Sequence, residues 1–168
     1  RRRRLLRTGR YSHSFGKGPK LFWKIAHRGF PKQAPENTLP SFEAAIHAGA
    51  DMLEFDVALT RDGVPVVIHD QTLQRTTSGR GRVRDFLFSD LRKLDAGKWF
   101  SSVYQGTRIP TLEEVLECAK GRVAVNVEIK AEAVTKSPFG GIEEKVLEAL
   151  DRHGLSAYTV ISSFSVTS

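Results

Sequence analysis

The chain has little of what would cross-link it or hold it in a membrane. It contains one cysteine, Cys118, so no disulfide can form within the chain, which fits a reducing compartment. Cys118 falls on the apolar side of a predicted helix, and we interpret it as a packing residue. No apolar run approaches the roughly 20 residues that a helix needs to cross a bilayer. A cytoplasmic location is the default expectation.

Acidic residues are absent from the first 20 positions, RRRRLLRTGRYSHSFGKGPK, which hold eight of the 26 basic residues. The formal charge of +7 comes from this segment, because 19 acidic residues balance the other 18 basic ones. The segment lacks the apolar core of a secretory signal. Such a charge run attracts nucleic acid or a membrane surface but is more often simply solvated. We interpret residues 1–20 as a disordered leader, with peripheral membrane contact as the alternative.

Strand-like runs alternate with amphipathic segments from residue 21 onward, which predicts an α/β fold with a parallel sheet. The candidate strands are residues 21–27, 51–57, 64–69, 122–130 and 158–164. The link between the second and third strands is too short for a helix, and Asp62–Gly63 indicates a turn there.

Three helices are predicted between these strands. The first follows Asn37–Thr38, has Pro40 in its first turn and ends near Gly49. The second begins at a capping box, Thr111–Glu114, and ends at Gly121. The third ends at Gly154 and has an apolar face made of Ile142, Val146, Leu147 and Leu150.

A long excursion, residues 71–110, interrupts the alternation of strands and helices. It is rich in arginine, glycine and aromatic residues, and it includes a predicted short helix near residues 89–94. Segments of this length between elements are usually functional lids or insertions.

Alternation within two strands places acidic side chains together. In residues 51–57, Glu54 and Asp56 lie on the face opposite the apolar residues, and in residues 122–130 Glu128 and Lys130 do the same. Both faces of a parallel sheet are normally buried, so these carboxylates would repel one another without a cation among them. A hard divalent ion, Mg²⁺ or Ca²⁺, suits oxygen ligands. The alternative is that Lys130 and nearby arginines pair with the acids.

Two histidines add a second group of candidate residues. His27 and His69 each close an apolar run, and beside an acidic cluster such a pair suits a general acid and a general base. A lone histidine there is more often a core or capping residue. Arg28 and Lys130 are donors that suit a phosphate oxygen. Together, metal, histidines and cations predict phosphoryl chemistry.

Taken in order, these motifs resemble the glycerophosphodiester phosphodiesterase family. The resemblance is carried by AHRGFPKQAPENTLPSFEAAIHAGADMLEFDVALTRDGVPVVIHD, then QRTTSGRG, RIPTLEEVL, NVEIK and VISSF, and it covers residues 24–164. It implies a TIM-type (β/α) barrel and metal-dependent cleavage of glycerophosphodiesters to glycerol 3-phosphate and an alcohol. A full barrel takes about 250 residues. We therefore expect residues 21–168 to be the N-terminal part of a barrel, truncated after about the fifth strand, with the remaining segment missing.

The resemblance also implies roles for individual residues. His27 and His69 match the catalytic pair, and the segment at about 71–110 matches an insertion that shapes the substrate entrance. The other matching residues are Glu54, Asp56 and Glu128 as metal ligands, Arg28 and Lys130 at the phosphate, and Glu36 and Asn37 as supporting residues. Helix capping explains Asn37 equally well.

Several alternatives remain open at this point. One is a phospholipase D-like activity on lysophospholipids or sphingolipids, with an apolar entrance formed by Phe86, Leu87, Phe88, Trp99 and Phe100, which could equally form the core of the insertion. Another is a non-catalytic module that binds anions through the basic segment, although no signature for nucleic-acid binding supports nucleic acid as a partner. The nucleophile is water or the glycerol hydroxyl, and either histidine can be the acid.

Overall fold

A computed structural model describes residues 22–130 and 141–163. Strands alternate with helices along the chain, separated by short 3₁₀ turns. The strands are β1 (Ile25–His27), β2 (Met52–Leu59), β3 (Pro65–Val67), β4 (Ala124–Ile129) and β5 (Thr159–Ser163). The helices are α1 (Leu39–His47), α2 (Phe88–Leu91), α3 (Leu112–Ala119) and α4 (Ile142–Arg152).

The five strands form one sheet in which four run parallel, in the order β1-β2-β4-β5. Each parallel strand is added beside the preceding one in the same direction, as in a (β/α) barrel, whereas the strand order of a doubly wound sheet reverses. The predicted α/β fold of barrel type is therefore confirmed. The third strand differs from the rest because β3 pairs antiparallel with the far end of β2, through the predicted turn at Asp62–Gly63.

The main core lies between the sheet and the helices α1, α3 and α4. Phe42 from α1 and Phe55 from β2 meet there edge to face, with ring centroids 5.8 Å apart. A second, smaller core lies under the segment 71–110 and includes Leu73 and Leu91. Phe86 and Phe88 pack against this second core, so they belong to the interior of the insertion.

The structure corrects three details of the sequence interpretation. The first strand begins at Ile25, and Phe22 and Trp23 before it are exposed. The short helix covers Phe88–Leu91 rather than residues 89–94. The prediction that Leu147 lies on the buried face of the third helix is wrong, since Leu147 is 57% exposed and Ala149 is buried instead.

Other expectations about local structure are met. The capping box at α3 forms in both directions, because Glu114 N donates to Thr111 Oγ1 and Thr111 N donates to Glu114 Oε2. Cys118 packs against the main core, where burial and the nearby Glu43 carboxylate raise the pKa of its thiol to about 12.

Within residues 22–130 and 141–163, no helix is long and apolar enough to cross a membrane. The basic segment 1–20 lies outside the described residues.

Candidate active site

Three carboxylates meet on the side of the sheet that faces away from the main core. Strand register brings them together, because Asp56 of β2 lies opposite Glu128 of β4, and Glu54 is two residues before Asp56 on the same face. One oxygen from each carboxylate lies within 4.8 Å of the others. Glu54 and Asp56 are 5% and 0% exposed. The alternation of the two strands thus predicts the position of this cluster correctly.

Two cations hold Asp56 and Glu128 in place. Lys130 Nζ lies 2.5 Å from Glu128 Oε1 and 2.7 Å from Asp56 Oδ1. The Lys130 ammonium is thus shared between the two carboxylates. Arg28 Nε lies 3.6 Å from Asp56 Oδ2. The ion pairs of Asp56 with Lys130 and Arg28, which the sequence offered as the alternative to a metal, therefore exist.

Glu54 is held differently from Asp56. Its Oε2 accepts a hydrogen bond from the backbone N–H of Arg28 at 2.9 Å and lies 3.8 Å from His27 Nε2. Burial and the neighbouring carboxylates of Asp56 and Glu128 raise the pKa of Glu54 above its usual range, against the hydrogen bond from Arg28. Among the described contacts, Glu54 therefore faces two other carboxylates and pairs with no lysine or arginine side chain.

A raised carboxyl pKa makes the metal-free protein less stable as the pH rises. The pKa of Glu54 is higher in the folded state than its value of about 4.5 in the unfolded chain, so the folded state binds more protons at this residue. The stability that this provides is lost as the pH rises through the folded pKa. We expect Glu54→Gln to remove this loss and to raise the melting temperature in EDTA by a few degrees near neutral pH. Gln keeps an oxygen that can accept from Arg28 N.

Thermal unfolding in EDTA between about pH 5 and about pH 8 measures this effect. Glu148→Gln on the exposed side of α4 serves as the control. The expectation fails if the pH dependence of Glu54→Gln parallels that of the unchanged protein.

The loop after β1 carries Arg28 and the start of α1 to the cluster. Arg28 and Gly29 both have left-handed backbones, with φ of 57° and 88°. Ser41 of α1 fixes the loop, because its Oγ accepts from Phe30 N at 2.8 Å. A left-handed non-glycine residue is strained, and here the turn aims the Arg28 backbone N–H at Glu54.

Glu36 and Asn37 both contact this cluster or its cations. Asn37 Nδ2 donates to Asp56 Oδ2 at 2.9 Å, and Glu36 Oε1 accepts from Arg28 Nη1 at 3.1 Å. The capping alternative for Asn37 is wrong, because Thr38 occupies the N-cap position of α1.

The two histidines approach the cluster from different elements. His27 ends β1 beside Glu54, and its side chain is 68% exposed. His69 follows the antiparallel strand β3, which returns the chain along the far end of β2 so that Ile68 N donates to Asp56 O at 3.0 Å. A hairpin rather than a helix after β2 is therefore what brings His69 back towards the carboxylates.

Residues that received no role from the sequence connect His69 to Glu36. His69 Nδ1 lies 2.6 Å from Asp70 Oδ1. Arg75 donates to both carboxyl oxygens of Asp70 and to both of Glu36, at 2.7 to 2.9 Å. An acid directly after a histidine was a signal for Asp70, whereas nothing in the local pattern indicated that Arg75 reaches Glu36, 39 residues away.

The donor set fits a hard divalent cation. Glu54, Asp56 and Glu128 offer oxygen ligands only, which suits Mg²⁺ or Ca²⁺ rather than zinc. A cation at this place would relieve the repulsion from Asp56 and Glu128 that contributes to the raised pKa of Glu54.

The described residues combine a parallel sheet of barrel type with a carboxylate cluster and two cationic side chains beside it. The glycerophosphoryl diester phosphodiesterase family matches residues 27–168 of the sequence. The chain belongs to this family.

Individual relatives agree with the family match. A glycerophosphodiester phosphodiesterase of Caldanaerobacter subterraneus subsp. tengcongensis is 47% identical over 142 residues, which are 84% of this chain and 57% of the relative. The crystal structure of a glycerophosphodiester phosphodiesterase from Agrobacterium tumefaciens superposes with a TM-score of 0.75 at 39% identity, over 86% of this chain and 59% of that one.

An Oleispira antarctica phosphodiesterase, solved in complex with the product sn-glycerol-3-phosphate, gives a TM-score of 0.74 at 38% identity. That comparison covers 86% of this chain and 58% of the other. The chain thus spans a little over half the length of these relatives.

Proposed function

We propose that the protein hydrolyses glycerophosphodiesters to glycerol 3-phosphate and an alcohol, with a bound divalent cation, Ca²⁺ or Mg²⁺. The observation that carries this proposal is the cluster of Glu54, Asp56 and Glu128 beside Arg28 and Lys130. Family membership and the product bound to the Oleispira antarctica phosphodiesterase support the same reaction.

Charge balance supports a phosphodiester as the substrate. The three carboxylates outnumber the two cations beside them, and Arg28 also pairs with Glu36, so the metal-free site carries excess negative charge. A divalent cation would offset this excess and so reduce the repulsion of a phosphodiester, which carries one negative charge. When bound, the metal supplies Lewis-acid neutralisation of the phosphate oxygens.

The protein's own residues would bind the phosphate and move protons. Arg28 and Lys130 each pair with Asp56 and have further N–H groups. Both would therefore donate to phosphate oxygens while keeping their ion pairs with the carboxylate. We assign His69 as the general base, because the Asp70 carboxylate accepts a hydrogen bond from Nδ1–H and leaves Nε2 as the proton acceptor. His27, exposed at the edge of the cluster, then protonates the departing alkoxide.

Metal-dependent release of glycerol 3-phosphate from glycerophosphocholine tests this proposal. We expect release with Ca²⁺ or Mg²⁺, its loss in EDTA and its recovery when the metal is restored. His27→Ala should lose about a hundredfold or more in kcat, the usual contribution of a proton donor. Glu54→Ala should weaken metal binding as well.

Calorimetric titration with the metal separates these two roles. His27→Ala keeps the wild-type affinity for the metal, whereas Glu54→Ala loses it. Hydrolysis that persists in EDTA, or that survives in both variants, contradicts the proposal.

A lipid substrate on the same scaffold is the second candidate. Among the five apolar residues considered for an entrance, Trp99 is 42% exposed, and Val103 nearby in the chain is 84% exposed. Exposed apolar side chains in the insertion would suit contact with an acyl chain. Turnover of lysophosphatidylcholine measured beside that of glycerophosphocholine distinguishes the two substrates, since the lipid reading requires faster turnover of the lysophospholipid.

A further inference from the structure

Arg75, in the insertion, binds two carboxylates at once. Its Nε and Nη2 donate to Asp70 at 2.7 and 2.9 Å, and its Nη1 and Nη2 donate to Glu36 at 2.9 and 2.8 Å. These four hydrogen bonds use most of the five N–H groups of a guanidinium. Arg75 is therefore occupied by protein ligands, and it is not a group that waits for a substrate anion.

The two carboxylates contact different residues of the candidate active site. Asp70 contacts His69 Nδ1 at 2.6 Å, and Glu36 accepts from Arg28 Nη1 at 3.1 Å. Arg75 thus closes a continuous chain of polar contacts from the candidate base to the candidate phosphate-binding arginine. We propose that Arg75 is a positioning residue, which fixes the orientation and tautomer of His69 through Asp70 and thereby joins the insertion to the catalytic site.

The charges in this chain of contacts agree with that role. Hydrogen bonds from Arg75 lower the pKa of Asp70 to about 2, in spite of its partial burial. Burial alone would raise the pKa of Glu36, but Arg75 and Arg28 lower it. Both groups therefore stay ionised at neutral pH. An ionised Asp70 can only accept a hydrogen bond, so the proton of neutral His69 resides on Nδ1 and Nε2 is the acceptor.

Loss of Arg75 should affect His69 more than Arg28. Arg28 keeps its 3.6 Å ion pair with Asp56, and its backbone N–H stays bound to Glu54. Asp70 has only His69 and Arg75 as side-chain partners among the described contacts. Without Arg75 the Asp70 carboxylate is free to turn away from the imidazole, and His69 loses its fixed tautomer.

Nitrogen-15 NMR of the full chain with labelled histidine tests this directly and needs no substrate. We expect the His69 signals of the unchanged protein, assigned with His69→Gln and recorded at a pH where the imidazole has lost its second proton, to show the tautomer with the proton on Nδ1. In Arg75→Ala and Arg75→Lys the signals should shift towards a mixture of the two tautomers. Lysine is not expected to rescue, because a single ammonium cannot match two carboxylates with the fork geometry of a guanidinium.

Arg92 provides a matched control in the same insertion. The two terminal nitrogens of Arg92 donate to a single carboxylate, that of Glu114, at 2.8 and 2.5 Å. The side chain of Arg92 is about as exposed as that of Arg75. Arg92→Ala should lose a comparable amount of stability and leave the His69 signals unchanged. Unaltered signals in Arg75→Ala, or equal changes in Arg75→Ala and Arg92→Ala, would overturn the proposal.

Kinetics give the second measurement, which rests on the proposed function. We expect Arg75→Ala to lower kcat by about tenfold to a hundredfold, the usual effect of removing a partner that orients a reacting group. KM should change by less than about threefold, because Arg28 keeps its other contacts. Arg92→Ala should leave kcat unchanged. If the unchanged protein does not hydrolyse the substrate, the proposed function fails, while the NMR result still decides the role of Arg75.

Discussion

Asp56→Asn is expected to abolish phosphodiester hydrolysis and also to lower the free energy of unfolding by about 3 kcal/mol, the cost of removing one partner from a buried ion pair. Asp56 is fully buried and lies between Lys130, Arg28 and Asn37. Asparagine removes the charge that both cations face. Lys130 retains Glu128, but Arg28 keeps only Glu36 as a side-chain carboxylate partner among the described contacts.

The loss of activity has a separate cause from the loss of stability. Asp56 offers one of the three oxygens that would hold the divalent cation. We expect kcat/KM to fall by more than about a hundredfold, which is the upper range for losing merely an outer partner of a metal site. Urea unfolding in EDTA measures stability without any contribution from bound metal. Initial rates with excess Ca²⁺ or Mg²⁺ measure the activity.

Asp90→Asn is the control for removing a paired carboxylate at the surface. Asp90 lies 2.8 Å from Lys93 on the exposed side of the insertion, so its loss should cost less than about 1 kcal/mol. Glu54→Gln offers a sharper comparison, because it removes a neighbouring ligand yet should stabilise the metal-free protein. If Asp56→Asn and Glu54→Gln change stability in the same direction, the distribution of cations around the cluster has been misjudged.

For Glu54 and Asp56, the position in the sheet could be predicted from the sequence, but the partners of each carboxylate could not. Period-two alternation in β2 and β4 predicted that Glu54, Asp56 and Glu128 share a face of the sheet. The pattern was informative because both strands are central and pair on both sides. The partners of each carboxylate could not be predicted in the same way. Whether an acid meets a cation or another acid depends on contacts between elements distant in the sequence, such as Asn37 with Asp56.

Edges and boundaries were the less predictable part of the fold. The run 21–27 reads as a strand, but β1 begins at Ile25, and among residues 22–130 and 141–163 it pairs with β2 alone. Leu147 fits the helical period loosely, and a shift of one position around α4 leaves it exposed. The contact of Arg75 with Glu36 joins the insertion to the loop after β1. No periodicity in either segment carries information about the other.

Gly29→Ala should have a large effect on stability, although it adds a single methyl group. Gly29 has φ of 88°, and an added Cβ would lie 2.4 Å from Ser41 Oγ and 2.9 Å from the Ser41 backbone carbon. The left-handed backbone costs an alanine about 1 kcal/mol, and relieving the overlap costs about 2 kcal/mol more. We expect the free energy of unfolding to fall by about 3 kcal/mol.

Activity should fall with it, because the overlap can be relieved only by moving the loop away from α1. That loop carries Arg28 and follows directly after His27 at the end of β1, and its displacement would lengthen the hydrogen bond from Arg28 N to Glu54. Gly49→Ala separates the two costs. Gly49 has a similar φ of 79°, but nothing lies within 4 Å of an added Cβ. Gly49→Ala should therefore cost only the conformational part and leave kcat/KM unchanged. Equal losses in the two variants would mean that close packing of the loop on Ser41 does not hold Arg28 in place at the carboxylate cluster.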